Sequence, residues 1–159
     1  MDEKIISGDY TLSKLTEDDF ADFCEACDSL EGEQQLKTFN WFMQKQNWMF
    51  FYIIRYQDEI IGYKQIRVHH HAIPFYETGT EIKIIHRNRG HCANVINLVV
   101  DYLRDTHSAR RIQSVVPVNN KPCMMMMKKT CLTLEATLKM FTVDENHDPI
   151  DAHVYSAVF

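Results

Sequence analysis

The 159-residue sequence has few of the residues that interrupt regular structure, with only five glycines and four prolines. It contains no internal repeat, low-complexity tract or long linker, so we expect a single domain over residues 1–159 that can bury a sizeable core. The longest apolar run, residues 48–54, is too short to span a bilayer. The acidic N-terminal segment lacks the apolar stretch of a signal peptide. These absences predict a globular domain without membrane association.

Positive charge is also in short supply. Lysine and arginine number 17 against 22 acidic residues, and the resulting net charge of -5 disfavours a protein that binds nucleic acid by neutralising phosphates. The five cysteines are odd in number and irregularly spaced, which favours reduced thiols and a cytoplasmic location. Cys24 and Cys27 form a C-x-x-C inside a predicted helix and have no second pair, so we interpret them as core-facing thiols and expect no bound metal.

The elements that are present alternate between strand and helix. Spacing and turn signals predict strands over residues 10–15, 48–56, 60–69, 80–85, 111–118, 133–141 and 152–159. Helices are predicted over residues 16–28 and 34–46, from the segment after residue 86 to about residue 107, and over residues 119–130. The mixed order predicts an α/β protein whose central sheet has parallel and antiparallel pairs and is flanked by helices.

The segment from His86 to Ala93 joins a predicted strand to a predicted helix and contains Arg87, Arg89 and Gly90. The first four N–H groups of a helix have no internal partner, and the helix dipole adds partial positive charge at that end. A glycine there lets the backbone approach a bulky anion. From the residues alone, the segment is either a diphosphate site or a helix start beside solvated arginines. Neither a P-loop nor a G-x-G-x-x-G motif is present.

Two segments carry a resemblance to a known family. Arg87, Gly90 and Cys92 resemble the R/Q-x-x-G-x-G/A pyrophosphate loop of the GNAT superfamily of acyl-CoA N-acyltransferases, with cysteine at the last position. On the next helix the family often has N-x-x-A-x-x-x-Y-x-K-x-G-F, of which Asn120 and Lys129 match outright and Met127 replaces the tyrosine. The predicted element order is also that of the family, so the resemblance implies the GNAT fold.

The resemblance implies an enzyme that uses acetyl-CoA as cosubstrate and acetylates an amine, on a small molecule or a protein, by direct attack on the thioester. The pantetheine arm is expected to pair with the strand before the loop, and the diphosphate to bind the loop N–H groups. The implied cofactor-binding residues are Ile82, Lys83, Ile84, Ile85, Arg87, Asn88, Arg89, Gly90, His91, Cys92, Ala93, Asn120, Met127 and Lys129. Terminal strands often pair across dimers in the family, so a homodimer is one alternative for the oligomeric state, which the sequence leaves open.

Three residues are candidates for the base that accepts the proton of the attacking amine. Glu81 is the first, if burial raises its pKa; a surface glutamate beside Lys83 is the alternative. His69 and His71 share one face of a strand end and form the second choice, with a polar strand end or a metal site as alternatives. Met127 has no proton for the departing thiolate. Either water, His91 or another group assists the departure of the thiolate, or the chain is a non-catalytic GNAT-like module that binds CoA or a partner, which is the alternative function.

Overall fold

The computed structural model describes all of residues 1–159. Its strands are β1 (Lys4–Ser7), β2 (Tyr10–Lys14), β3 (Met49–Tyr56), β4 (Glu59–His69), β5 (Phe75–Ile82), β6 (Arg111–Pro117), β7 (Thr133–Val143) and β8 (Pro149–Val158). Its helices are α1 (Phe20–Ala26), α2 (Glu33–Gln44), α3 (His91–His107) and α4 (Lys121–Met127), with a short 3-10 helix over Ile84–His86. The strands form one eight-stranded sheet in the order β1-β2-β3-β4-β5-β6-β8-β7. Only β5 and β6 pair in parallel, so the predicted mixed sheet is confirmed.

Helices cover both faces of this sheet because each helix has an apolar side. On one face, α3 buries Val95, Val99 and Leu103 at helical spacing against a core of 18 residues that also includes Met127 of α4. On the opposite face, aromatic side chains of α1 and α2 form a second core of 10 residues with β3 and β4. We call these the α3 face and the α1/α2 face of the sheet.

The first helix begins later than predicted. Both the backbone N–H and the hydroxyl of Thr16 donate to the carboxylate of Asp19, at 2.8 and 2.6 Å, which forms a turn where the prediction placed the first helical turn. As a result α1 runs from Phe20 to Ala26. Strand β1 was not predicted, since only one of its four residues is buried.

Strand β5 differs from its prediction at both ends. It begins at Phe75, five residues before the predicted start, and it ends at Ile82. The next residues turn into the 3-10 helix, where Ile84 and Ile85 are 66% and 64% exposed. The chain leaves the sheet because the Arg87 side chain donates to the Ile82 carbonyl, at 2.8 Å, where the next ladder bond would form.

The last helix begins at Lys121, two residues after the predicted start, and it is also shorter than predicted. The Asn120 side chain accepts the Cys123 N–H at 3.1 Å and caps α4, which ends at Met127 instead of near residue 130. Consecutive methionines point in different directions, so Met127 is buried while Met125 is exposed. None of the helices in the structure is both long enough and apolar enough to cross a membrane.

Candidate active site

Strands β5 and β6 separate in the middle of the sheet. They pair at only two positions, Tyr76 with Ile112 and Glu77 with Gln113. One step further, the hydroxyl of Ser114 donates to a β5 carbonyl at 2.9 Å, and from there on the strands no longer pair. Buried backbone groups almost always find hydrogen-bond partners. The split between residues 79–82 and 115–117 therefore offers unpaired backbone to an extended ligand.

Alternation along β5 determines which peptide groups face this split. The Thr78 carbonyl faces β6 because it accepts the Ser114 hydroxyl, so the peptide groups of Thr80 and Ile82 face the same side. Both lie beyond the last pair with β6. The Ile82 carbonyl is already occupied by Arg87, as described above. A ligand arm can therefore bond to both groups of Thr80 and to the Ile82 N–H.

Lys83, Ile84 and Ile85 do not continue this strand edge. The Lys83 N–H turns toward β4 and donates to the Ile61 carbonyl at 2.8 Å. The Ile84 N–H donates to the Asp28 carboxylate at 3.3 Å. The backbone donors of Lys83 and Ile84 are used within the protein, and Ile85 lies in the 3-10 helix, so the prediction that these three residues extend the strand edge is wrong.

Residues 87–90, in the loop before α3, are exposed. Asn88 and Gly90 both have left-handed backbones, with φ of 63° and 85°, and Gly90 is the N-cap of α3. No side chain caps this helix end, so the first N–H groups of α3 have no side-chain partner there. Successive outward N–H groups at a helix N-terminus form a concave anion site. The loop thus has the backbone shape that a diphosphate requires.

The side chains of this loop differ in whether they are free to bind an anion. Arg87 turns back toward β5, where its Nη2 lies 3.6 Å from the Glu81 carboxylate. Arg89 is exposed and forms no ion pair, so its charge is free for an anion. The His91 ring is buried with its Nδ1 2.8 Å from the Tyr10 hydroxyl, and burial, with the charges of its neighbours, lowers its pKa. His91, Cys92 and the buried Ala93 can therefore contact an anion mainly through their backbone.

The second predicted segment lies beside α3. Asn120 is occupied as the cap of α4, and Met127 is buried in the core of the α3 face. The Lys129 side chain is exposed, and its backbone carbonyl accepts a bond from Asn97 of α3 at 3.5 Å. These contacts fix α4 against α3 at the side of the split.

A carboxylate lies at the point where β5 and β6 separate, on the α1/α2 face. Glu77 accepts bonds from Arg67 at 2.8 Å and from Gln113 at 3.2 Å. A cavity of about 220 Å³ opens here, and its lining includes Gln65, Arg67, Glu77, Gly79, Val115 and Phe141. A larger cavity of about 850 Å³ lies over β2 and β3, and no residue of the split lines it. Of these two cavities, the smaller one reaches the split.

The predicted bases lie on this same face. Glu81 accepts the Tyr63 hydroxyl at 2.7 Å, and burial together with this bond raises the pKa of Tyr63. The His69 Nε2 is buried without a hydrogen-bond partner, 3.8 Å from the Glu77 carboxylate. His71 stacks on Phe75, as His69 does, and lies further out.

The sequence does not identify Glu77 as a site residue. The predicted strand began at Thr80, so Glu77 fell outside it. Had the strand been extended, the spacing of four between Glu77 and Glu81 would have put both carboxylates on one face.

Comparisons with known proteins identify the family through a family model and the fold through solved structures. The family model described as Acetyltransferase (GNAT) family matches residues 12–131. Among solved structures, the chain is similar to the ribosomal-protein alpha-N-acetyltransferase RimL, with 15% identity over 99% of this chain and 94% of that chain and a TM-score of 0.83. It is also similar to the microcin self-immunity acetyltransferase MccE in complex with acetyl-CoA and AMP, with 18% identity over 96% and 94% of the chains and a TM-score of 0.77.

A third similar structure is the spermidine N-acetyltransferase SpeG of Vibrio cholerae, with 15% identity over 96% of this chain and 95% of that chain and a TM-score of 0.78. No curated protein matches the chain by sequence. The family match covers most of the chain and includes both the loop and α4. The chain therefore belongs to the acetyltransferase (GNAT) family and is an enzyme that uses acetyl-CoA as its acetyl donor.

Proposed function

We propose that acetyl-CoA enters the split from the α3 face and that a primary amine attacks its thioester from the α1/α2 face. The observation that carries this proposal is the geometry of the split. On one face it adjoins the uncapped N-terminus of α3, and on the other it meets the cavity that Glu77 lines. Donor and acceptor can therefore reach the same point of β5 without competing for space.

On the donor side, the diphosphate binds the N–H groups of residues 88–93, and Arg89 adds the free positive charge. The pantetheine arm bonds to the backbone of Thr80 and Ile82. Asn120, Met127 and Lys129 form the α4 side of the site. The uncapped helix end, the left-handed Gly90 and the unpaired strand edge support these assignments.

On the acceptor side, Glu77 takes the proton of the attacking nitrogen. Its two oxygens accept one bond each, from Arg67 and Gln113, which leaves lone pairs for an amine. The His69 Nε2 lies 3.8 Å from the Glu77 carboxylate and accepts the proton from it. Glu81 is the second candidate base, further along the same face and closer to the loop through its contact with Arg87.

The acceptor is a primary amine on a small or extended group, since the cavity of about 220 Å³ has no room for a larger one. The names of RimL and SpeG describe acetylation of a protein α-amine and of spermidine, both primary amines. Release of free CoA thiol should be measured with acetyl-CoA and a panel containing spermidine, short peptides with a free N-terminus and aminoacyl nucleotides. Amine-dependent release supports the proposal. Acetyl-CoA binding without release for any amine would favour a non-catalytic module instead.

The enzyme is further proposed to work in the cytoplasm. All five cysteines are free thiols, and Cys131 is exposed, which suits a reducing compartment. Retention of five titratable thiols in protein isolated anaerobically from its native host would support this location.

The edge strand β7 supports a homodimer. All of its residues are exposed or half-buried, and they include the exposed Leu134, Met140, Phe141 and Val143. A long apolar edge of this kind pairs readily with a second copy of itself. Light scattering of the purified protein should give twice the mass of the chain, and Leu134→Lys should lower that mass.

A further inference from the structure

Lys64 is a fully buried lysine on the α3 face of the sheet. It lies in the middle of β4, opposite Tyr52 of β3 and Thr80 of β5, and none of its surface is exposed. Its ammonium donates to the Thr80 hydroxyl at 2.8 Å and has no carboxylate partner. Burying an ammonium without a counter-charge is costly, and such a group beside a cleft is a candidate for a functional role.

The groups that surround Lys64 do not compensate its charge. The Tyr52 hydroxyl donates to a backbone carbonyl at the N-terminus, and burial raises its pKa. On α3, burial raises the pKa of Cys92 to about 11, and on α4 burial raises the pKa of Cys123. Both thiols are neutral near pH 7, and the N-terminus of α3 is positive. Burial accordingly lowers the pKa of Lys64 to about 8.

The proposed reaction needs a proton on this face. When the amine displaces CoA, the sulfur leaves as a thiolate, and Met127 has no proton to give it. Thr80 turns its backbone into the split and its side chain toward α3, and its hydroxyl accepts the Lys64 bond. A hydroxyl that accepts one bond can donate another. Thr80 therefore connects the buried ammonium with the place where the sulfur would lie.

We propose that Lys64, acting through the Thr80 hydroxyl, supplies the proton that the departing CoA thiolate takes up. This inference rests on the proposed function. As the carbon–sulfur bond of the tetrahedral intermediate breaks, the sulfur takes the Thr80 hydroxyl proton and Thr80 takes one from the Lys64 ammonium. The attacking nitrogen loses its proton to Glu77. The products are the acetylated amine and the CoA thiol, and solvent then restores the proton of Lys64 and removes that of Glu77.

The ionisation of Lys64 suits this task. An ordinary thiol has a pKa of about 8.5, so a donor that titrates close to that value can release its proton to the thiolate and regain it. Thr80 would be the group in contact with the substrate, and Lys64 is a positioning residue and proton source behind it.

The test uses Lys64→Met, which keeps the length and apolar stem of the side chain, and Thr80→Val, which removes only the relay hydroxyl. Each should lower kcat by roughly 10²-fold, while the Kd for acetyl-CoA measured by calorimetry changes by less than about threefold. In the wild type, kcat should fall above a pH of about 8 as Lys64 loses its proton. Lys64→Met should lack this fall. Lys37→Met, on the exposed side of α2, is the matched control and should retain full activity.

The two proposals fail in different ways. A wild-type enzyme that releases no CoA with any amine overturns the proposed function, and this inference with it. An active wild type whose Lys64→Met and Thr80→Val variants keep kcat within about threefold overturns the inference alone. So does a Lys64→Met variant that retains the fall above pH 8.

Discussion

The charged side chains on the two faces of the sheet around strand β5 differ in whether they have a partner of opposite charge. On the α1/α2 face, Glu77 and Glu81 each have a cationic neighbour, Arg67 and Arg87. On the α3 face, the ammonium of Lys64 is buried against a single hydroxyl. Burial without a counter-charge disfavours the charged form of a lysine and lowers the pKa of Lys64 to about 8. One strand thereby separates a proton acceptor for the amine from a proton donor for the thiolate.

The largest expected effect comes from removing the carboxylate at the apex of the split. Glu77→Gln should lower kcat by roughly 10²- to 10³-fold, because the amide cannot accept the amine proton. Glu81→Gln should cost less than about tenfold, since the amide oxygen can still accept the Tyr63 hydroxyl and mainly the contact with Arg87 is lost. Steady-state rates at saturating acetyl-CoA compare the two variants. A larger loss for Glu81→Gln would make Glu81 the base and reverse the assignment.

On the α3 face, removing the unpaired charge should stabilise the fold. Lys64→Met should raise the free energy of unfolding at pH 7 by about 1–3 kcal/mol, because an apolar chain replaces a buried ammonium. The pKa of Lys64 is about 8 in the folded state and 10.5 ordinarily, so the unfolded chain binds more protons between these values. Wild-type stability should therefore rise from pH 8 to about 10.5, and the variant should lack this rise. Urea unfolding at both pH values measures it; a less stable variant at pH 7 would contradict the account.

A substitution in the loop before α3 should change the affinity for acetyl-CoA. Gly90 has a φ of 85°, a conformation that a β-branched side chain rarely adopts, and its backbone faces the proposed diphosphate. Gly90→Val should raise the Kd for acetyl-CoA by roughly tenfold or more. Gly8→Val is the matched control, because Gly8 also has a positive φ and open space around it but lies in the β1–β2 turn. Equal affinity loss in both variants would indicate general strain instead of a lost binding loop.

The smallest effect concerns a paired charge on the α1/α2 face. The Arg111 guanidinium, with a bond to Ser156, lowers the pKa of Glu135 to about 2 from 4.5. A carboxyl whose pKa is depressed on folding stabilises the protein above its ordinary pKa, and this contribution is lost as the pH falls from 4.5 toward 2. Glu135→Gln should therefore unfold at a slightly higher pH during acid titration. Tryptophan fluorescence measures the pH at the midpoint of acid unfolding. An unchanged midpoint would show that the pair contributes nothing to the stability of the fold.

The parts predicted well from the sequence are those that local signals determine. The glycine before α3 and the apolar spacing of that helix are read directly from neighbouring residues, and Asn120 is recognisable as a cap. Strand β5 was predicted poorly because its first half, with Glu77 and Gly79, lacks an apolar alternation. That half is held in the sheet by pairing with β4, a partner distant in sequence.

Long-range contacts also explain why the end of β5 and the burial of Lys64 were not predicted from the sequence. Ile84 and Ile85 have the composition of a strand, but the side chains of Asp28 and Arg87 bind the backbone where the strand would continue. Lys64 gives no sign of burial in the sequence, since it stands between a tyrosine and a glutamine. Its position under α3 follows only from the packing of the whole sheet.

The most direct test of the account is a crystal structure of the enzyme with acetyl-CoA bound. It should show the diphosphate within hydrogen-bonding distance of the N–H groups of residues 88–93, the pantetheine arm paired with Thr80 and Ile82, and the acetyl group beside Gly79 and open to the cavity that Glu77 lines. An acetyl group facing away from that cavity, or a diphosphate bound away from the Gly90 loop, would contradict the proposed meeting of donor and acceptor at the split between β5 and β6.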